Sequence, residues 1–157
     1  IVTGLVGSEM CIRDRDKGVR DAILMSLRGR VKSLKTEELG ELVGSPYADV
    51  RIFAGQTLLT ADQEAFDQYG FDLLIDEDTV VRSTTLRAMG VRRVTGWVRI
   101  MSRSLLDEDY VIQRVAMDAL LTDRHEGVKA LNEYVERNPQ ARISALARAE
   151  LDRLGVR

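Results

Sequence analysis

The feature that most restricts the fold of this chain is a recurring step of 31 residues. The segments Val19-Arg20-Asp21-Ala22-Ile23, Val50-Arg51-Ile52-Phe53-Ala54, Val81-Arg82-Ser83-Thr84-Thr85, Ile112-Gln113-Arg114-Val115-Ala116 and Ile143-Ser144-Ala145-Leu146-Ala147 are each 31 residues from the next. The same step joins Leu27, Leu58, Met89, Leu120 and Leu151, and carries Asp76-Glu77-Asp78 onto Asp107-Glu108-Asp109. No insertion breaks the register. A fixed period between roughly 20 and 50 residues is the mark of stacked supersecondary units, each too small to bury its own apolar face.

Within a period the apolar spacing is helical. Val50, Ala54 and Leu58 stand at i, i+4 and i+8, which is one face of a helix. The middle position is mostly small (Ile23, Ala54, Thr85, Ala116, Ala147), so another helix can come close there. A second helix shows in Phe66, Tyr69 and Leu73, and again in Val98, Met101 and Leu105. These patterns predict helix pairs over 17–29 and 35–44, 47–59 and 63–75, 79–90 and 96–106, and 110–121 and 125–137. A last helix is expected over 140–154. Ser45-Pro46 has the look of an N-cap followed by a first-turn proline. Asp123 with Glu126, and Thr60 with Gln63, have capping-box spacing. Gly90 and Gly96 bracket a turn, Gly127 opens a helix, and Leu151 to Gly155 resembles a capped end.

Composition narrows the function classes. With 5% aromatic residues and two prolines, a sandwich or barrel of short strands is disfavoured. The net charge of −2 supplies no overall attraction to nucleic acid or to an anionic membrane. No apolar stretch approaches the roughly 20 residues that cross a bilayer. Residues 5–15, Leu-Val-Gly-Ser-Glu-Met-Cys-Ile-Arg-Asp-Arg, resemble a translated sequencing adapter of the transposase-library type. Residues 1–15 are therefore expected to be non-native, and residues 16–157 to be a repeat domain truncated at its N-terminus. Cys11 is the single cysteine, so the expected native part offers no disulfide, thiolate metal site or cysteine nucleophile.

The run Asp-Glu-Asp-x-Val-Val/Ile-Arg/Gln, followed by a small residue and then Leu or Met, resembles the HEAT repeat. It is most similar to the short bacterial variety also found in phycobilisome bilin-lyase proteins. The resemblance spans 16–157 and implies an all-α solenoid of HEAT-like helical hairpins: four helix pairs plus a terminal helix. Gln113 and Ser144 depart from it, standing where arginine is expected.

Arg20, Arg51 and Arg82 recur one period apart, so each can reach an aspartate in its own or a neighbouring repeat. Asp16, Asp78 and Asp109 each precede the arginine position, and Asp49 lies two before Arg51. Aspartates at helix starts cap free amides and suit the helix dipole. The third period also carries Arg87, Arg92, Arg93, Arg99 and Arg103, but the flanking second helices bear Glu64, Asp67, Asp72, Glu133 and Glu136. A DNA-binding face would be positive across several repeats, so nucleic acid is disfavoured. Moving back 31 residues from Arg103 gives Asp72, which suggests a cross-repeat pair. His125 is the only histidine, and one imidazole cannot complete a histidine-rich metal site of the kind in deoxyhypusine hydroxylase. No metal, cofactor or catalytic residue is expected.

Trp97, Arg99 and Arg103 remain as the candidate partner-binding residues, because tryptophan and arginine dominate interface hot spots. The expected function is non-catalytic recognition of another protein on a surface lined by the second helices. Two alternatives stand beside it: the regulatory or docking arm of a larger enzyme encoded upstream, and a bilin-lyase-like accessory role implied by the family resemblance.

Overall fold

The computed structural model describes residues 16–61 and 63–156. The adapter-like run, Cys11 included, lies outside the described residues. Among those residues every regular element is helical: α1 (Lys17–Arg28), α2 (Thr36–Val43), α3 (Ala48–Thr57), α4 (Gln63–Leu74), α5 (Thr79–Arg92), α6 (Trp97–Ser104), α7 (Tyr110–Leu121), α8 (Glu126–Arg137) and α9 (Arg142–Arg153), with a short 3₁₀ turn over Val31–Ser33. The ranges expected from periodicity lie within two residues of these. No helix among the described residues is long and apolar enough to cross a membrane.

The chain divides into two compact units, one ending at Thr85 and the other beginning at Leu86, within α5. In the first unit α3 packs on α1 and α2, and α2 also packs on α4. Leu39, Leu42, Val50, Leu58, Phe66 and Leu73 fill its centre. The face of α2 at Gly40 lies directly against the Tyr69 ring, leaving no room for a side chain. In the second unit α7 packs on α6, α8 and α9. Met101, Leu105, Met117, Leu120, Leu131 and Ile143 are fully enclosed there. The Tyr134 hydroxyl donates to the Leu105 carbonyl at 2.9 Å, so this buried tyrosine leaves no polar atom without a partner. Burial also pushes its phenol pKa up.

The recurring apolar positions behave alike with one exception. Val50, Val81, Ile112 and Ile143 are at most 2% exposed, whereas Val19 is 37% exposed because no described helix covers that face of α1. Leu27, Leu58, Met89, Leu120 and Leu151 are all buried.

Several expected helix signals act differently from their sequence reading. The N-cap of α3 is Tyr47, not Ser45. The Ser45 hydroxyl accepts from the Tyr47 amide at 3.3 Å and shapes the preceding turn, which leaves Pro46 outside the helix. The Thr60 hydroxyl donates back to the Thr57 carbonyl, closing α3. Asp123 stands two residues before the N-cap His125, and its carboxylate accepts from the amides of both His125 and Glu126. Gly90 is interior to α5, which runs on to Arg92. There a Cβ would come within 3.1 Å of the Ala119 Cβ, so the missing side chain serves the contact with α7. Asp16, Asp78 and Asp109 do cap: their carboxylates accept from Gly18, Val80 and Val111 at 2.7, 2.7 and 2.8 Å. At the other end, Gly155 adopts φ +71, with its own amide bonded to Asp152 and that of Val156 to Leu151. This is a Schellman closure of α9.

At Gly127 it is backbone that leaves no room for a side chain. A Cβ there would strike the Leu120 carbonyl oxygen and lie 3.0 Å from Asp123 Cβ. Backbone cannot swing aside as a side chain can. Gly127→Ala should therefore destabilise the protein by about 1–3 kcal/mol despite alanine's better helix propensity. Chemical denaturation followed by circular dichroism measures this; a variant as stable as the parent would show that the junction of α7 and α8 relaxes freely.

Candidate functional site

The arginine positions were expected to stitch aspartates, and Arg20 and Arg51 do. Arg20, itself buried, holds the Asp49 carboxylate at 3.1 Å and lies 4.0 Å over the Tyr47 ring. Arg51 grips Asp76 with two parallel bonds of 2.7 and 3.0 Å, and both side chains are about nine-tenths buried, at 11% and 9% exposure. This planar fork on a carboxylate is the geometry that arginine supplies and lysine does not. Burial pushes the Asp76 carboxyl up, but the bonds from Arg51 and from the Asp78 amide more than offset it. The group is held below its ordinary value.

A second function of the same position was not legible in its residue types. Arg51 Nη1 donates to the Ser45 carbonyl at 3.0 Å, and Arg82 Nη1 to the Asp76 carbonyl at 2.9 Å. Gln113 Nε2 donates to the Asp107 carbonyl and Ser144 Oγ to the Asn138 carbonyl, each at 2.7 Å. Each bond reaches back six residues, and both donors and acceptors are spaced by 31. The acceptors Ser45, Asp76, Asp107 and Asn138 are all turn-forming types. Three of them also tie the turn through the side chain: Ser45 accepts from Tyr47, Asp76 from Asp78 and Asp107 from Asp109. The departures Gln113 and Ser144 thus keep the carbonyl bond while giving up the charge. Among the described residues, only the Gln113 Oε1 is a buried side-chain polar atom without a partner.

The candidate binding residues Trp97, Arg99 and Arg103 all sit on α6. Arg99 and Arg103 are exposed and, at i and i+4, share one face. Trp97 is half-buried and about 160° away around the helix from Arg99. Its neighbour is Arg93, whose guanidinium lies 4.1 Å over the indole ring. Arg93 also bonds Asp123 and Thr122, each at 3.0 Å, at the end of α7. The amide of His125 chiefly, and the charge of Arg93, hold the Asp123 carboxyl below its ordinary value.

Arg93 is the only non-glycine residue with positive φ (53°) among those described. Its amide bonds to Gly90 and that of Val94 to Met89, which is the same closure that Gly155 makes at α9. Arg93 also lies two periods before Gly155, so arginine occupies the register that glycine fills later. A left-handed non-glycine residue costs about 1–2 kcal/mol. The side-chain contacts of Arg93 offset it.

Beside Arg93, α5 and α7 enclose an open groove of about 340 Å³. Gly90, Val115 and Ala119 form its floor, and Arg87, Val91 and Asp118 stand on its rim. Asp78 and Asp109 act as caps, as described, and Asp72 is exposed on α4. His125 is exposed, and among the described residues no group of three or more histidine, cysteine, aspartate or glutamate side chains is placed to hold a metal ion. No family model matches the chain, and no curated protein or solved structure matches it.

Proposed function

We propose that this chain is an α-solenoid of HEAT-like hairpins with a 31-residue period, acting as a non-catalytic scaffold that recognises another protein. The observation that carries the reading is the bond reaching back six residues from Arg51, Arg82, Gln113 and Ser144. A chain that solves the same turn in the same way at a constant interval has the construction of a repeat array. Such arrays present long surfaces whose outer residues are free to vary while the joints are kept. Recognition is assigned to the second-helix surface, where Arg99 and Arg103 stand exposed on α6, with Trp97 at the head of the same helix.

The test is affinity enrichment from extracts of the source cells with the tagged chain and with its Trp97→Ala/Arg99→Ala/Arg103→Ala variant. The proposal expects specifically recovered partners to be lost from the variant while its circular dichroism matches the parent. Equal recovery by a folded variant would exclude this face.

A further inference from the structure

The groove between α5 and α7 has a chemical character of its own. Its floor is apolar and low, because Gly90 has no side chain and Ala119 a short one. Val91, on the rim, is 74% exposed, so apolar surface continues from the floor to the edge of the groove. The charges around the groove do not cancel. Asp118 is bonded by Arg114 at 3.0 Å and Asp123 by Arg93 at 3.0 Å, so each carboxylate already has its arginine. Arg87 is left over: among the described residues its guanidinium makes no hydrogen bond or ion pair, and it is exposed one helical turn from Val91. Arg93, in its left-handed conformation, also lines this groove.

We infer that the groove is a docking site for an acidic amphipathic helix of a partner protein, whose apolar stripe lies on Gly90, Val91 and Ala119 while a carboxylate takes the fork of Arg87. A trough between two helices suits a third helix with apolar anchors at i, i+3 and i+4. The unpaired cation selects an acidic rather than a basic one. The site is distinct from the Arg99 and Arg103 face, and stands whether or not that face recognises anything.

Trp97 is the only tryptophan and lies under Arg93, so its emission reports on the groove. The full chain is titrated with a synthetic helix of about twelve residues, with leucines at i and i+4 and glutamates on the flanks. The anisotropy of a labelled copy is followed in parallel. Binding should shift Trp97 emission and raise anisotropy. Arg87→Gln should weaken it about tenfold, the worth of one charge-assisted fork, and Val91→Asp should weaken it as well. Both residues are exposed, so both variants should keep the parent's circular dichroism. Arg99→Ala/Arg103→Ala should bind as the parent does. The assignment is overturned if neither signal changes, if Arg87→Gln binds like the parent, or if a glutamine-for-glutamate peptide binds equally well. Loss of binding in Arg99→Ala/Arg103→Ala alone would place the peptide on the other face. Displacement by octanoate at the peptide's own concentration would make the groove a small-carboxylate pocket instead.

Discussion

Arg51→Ala should lower the unfolding free energy by about 3–5 kcal/mol, the cost of stranding one member of a buried ion pair. The loss has two parts. Asp76 keeps its charge at a largely buried position with the Asp78 amide and the more distant Arg82 charge still beside it, and the Ser45 carbonyl loses its side-chain donor. The parts separate in a double variant. Arg51→Met/Asp76→Leu removes both charges and should recover most of the stability, falling short by about 1–3 kcal/mol for the unpaired carbonyl. Urea titrations of the parent, the single variants and the double variant give the coupling directly. A single-variant loss under 1 kcal/mol would mean that water reaches Asp76 and the pair behaves as a surface bridge. Acid should expose the same pair. The Asp76 carboxyl titrates lower in the folded chain than when unfolded. Its contribution is therefore complete above the unfolded value, near 3.8, and is lost as pH falls through the lower folded value. Stability should drop on acidification below about pH 4, and Asp76→Asn should remove part of that drop.

Leu120→Ala should cost about 2–5 kcal/mol, because Leu120 is wholly enclosed and truncation leaves a cavity that α6, α8 and α9 cannot close without moving. Leu58, at the same register and also wholly enclosed, should cost a similar amount in the first unit. The control is Leu106→Ala. Leu106 is as large but exposed, so its truncation should change stability by less than about 0.5 kcal/mol. If Leu120→Ala and Leu106→Ala shifted the urea midpoint equally, burial would not be what keeps leucine at the recurring position.

The helices were legible because their signals are local. A face is written by residues three or four apart, and nine α-helices among the described residues begin and end within two residues of where those faces do. The caps were less legible. Ser45, Thr60 and Asp123 are all of the capping type, yet Ser45 and Thr60 spend their hydroxyls on turns and Asp123 caps from two residues further back. Type and spacing do not say which nearby amide a hydroxyl will choose. The turn residues Ser45, Asp76, Asp107 and Asn138 could have been found, since they too recur at 31, but as residue types they differ more than the leucines do. Arg93 carried a weaker signal still, its place two periods before Gly155.

The sequence by itself determined the all-helical class and most of the positions that are buried in it, because these follow from the 3.6-residue pitch and from apolar spacing along one strand of chain. Only the tertiary structure decided that Arg51 takes Asp76, that Trp97 belongs with Arg93 rather than Arg99, and that α5 and α7 leave a groove beside Arg87. Those outcomes depend on ångström-scale distances between side chains of separate helices, and such distances are set by packing, which no local pattern records.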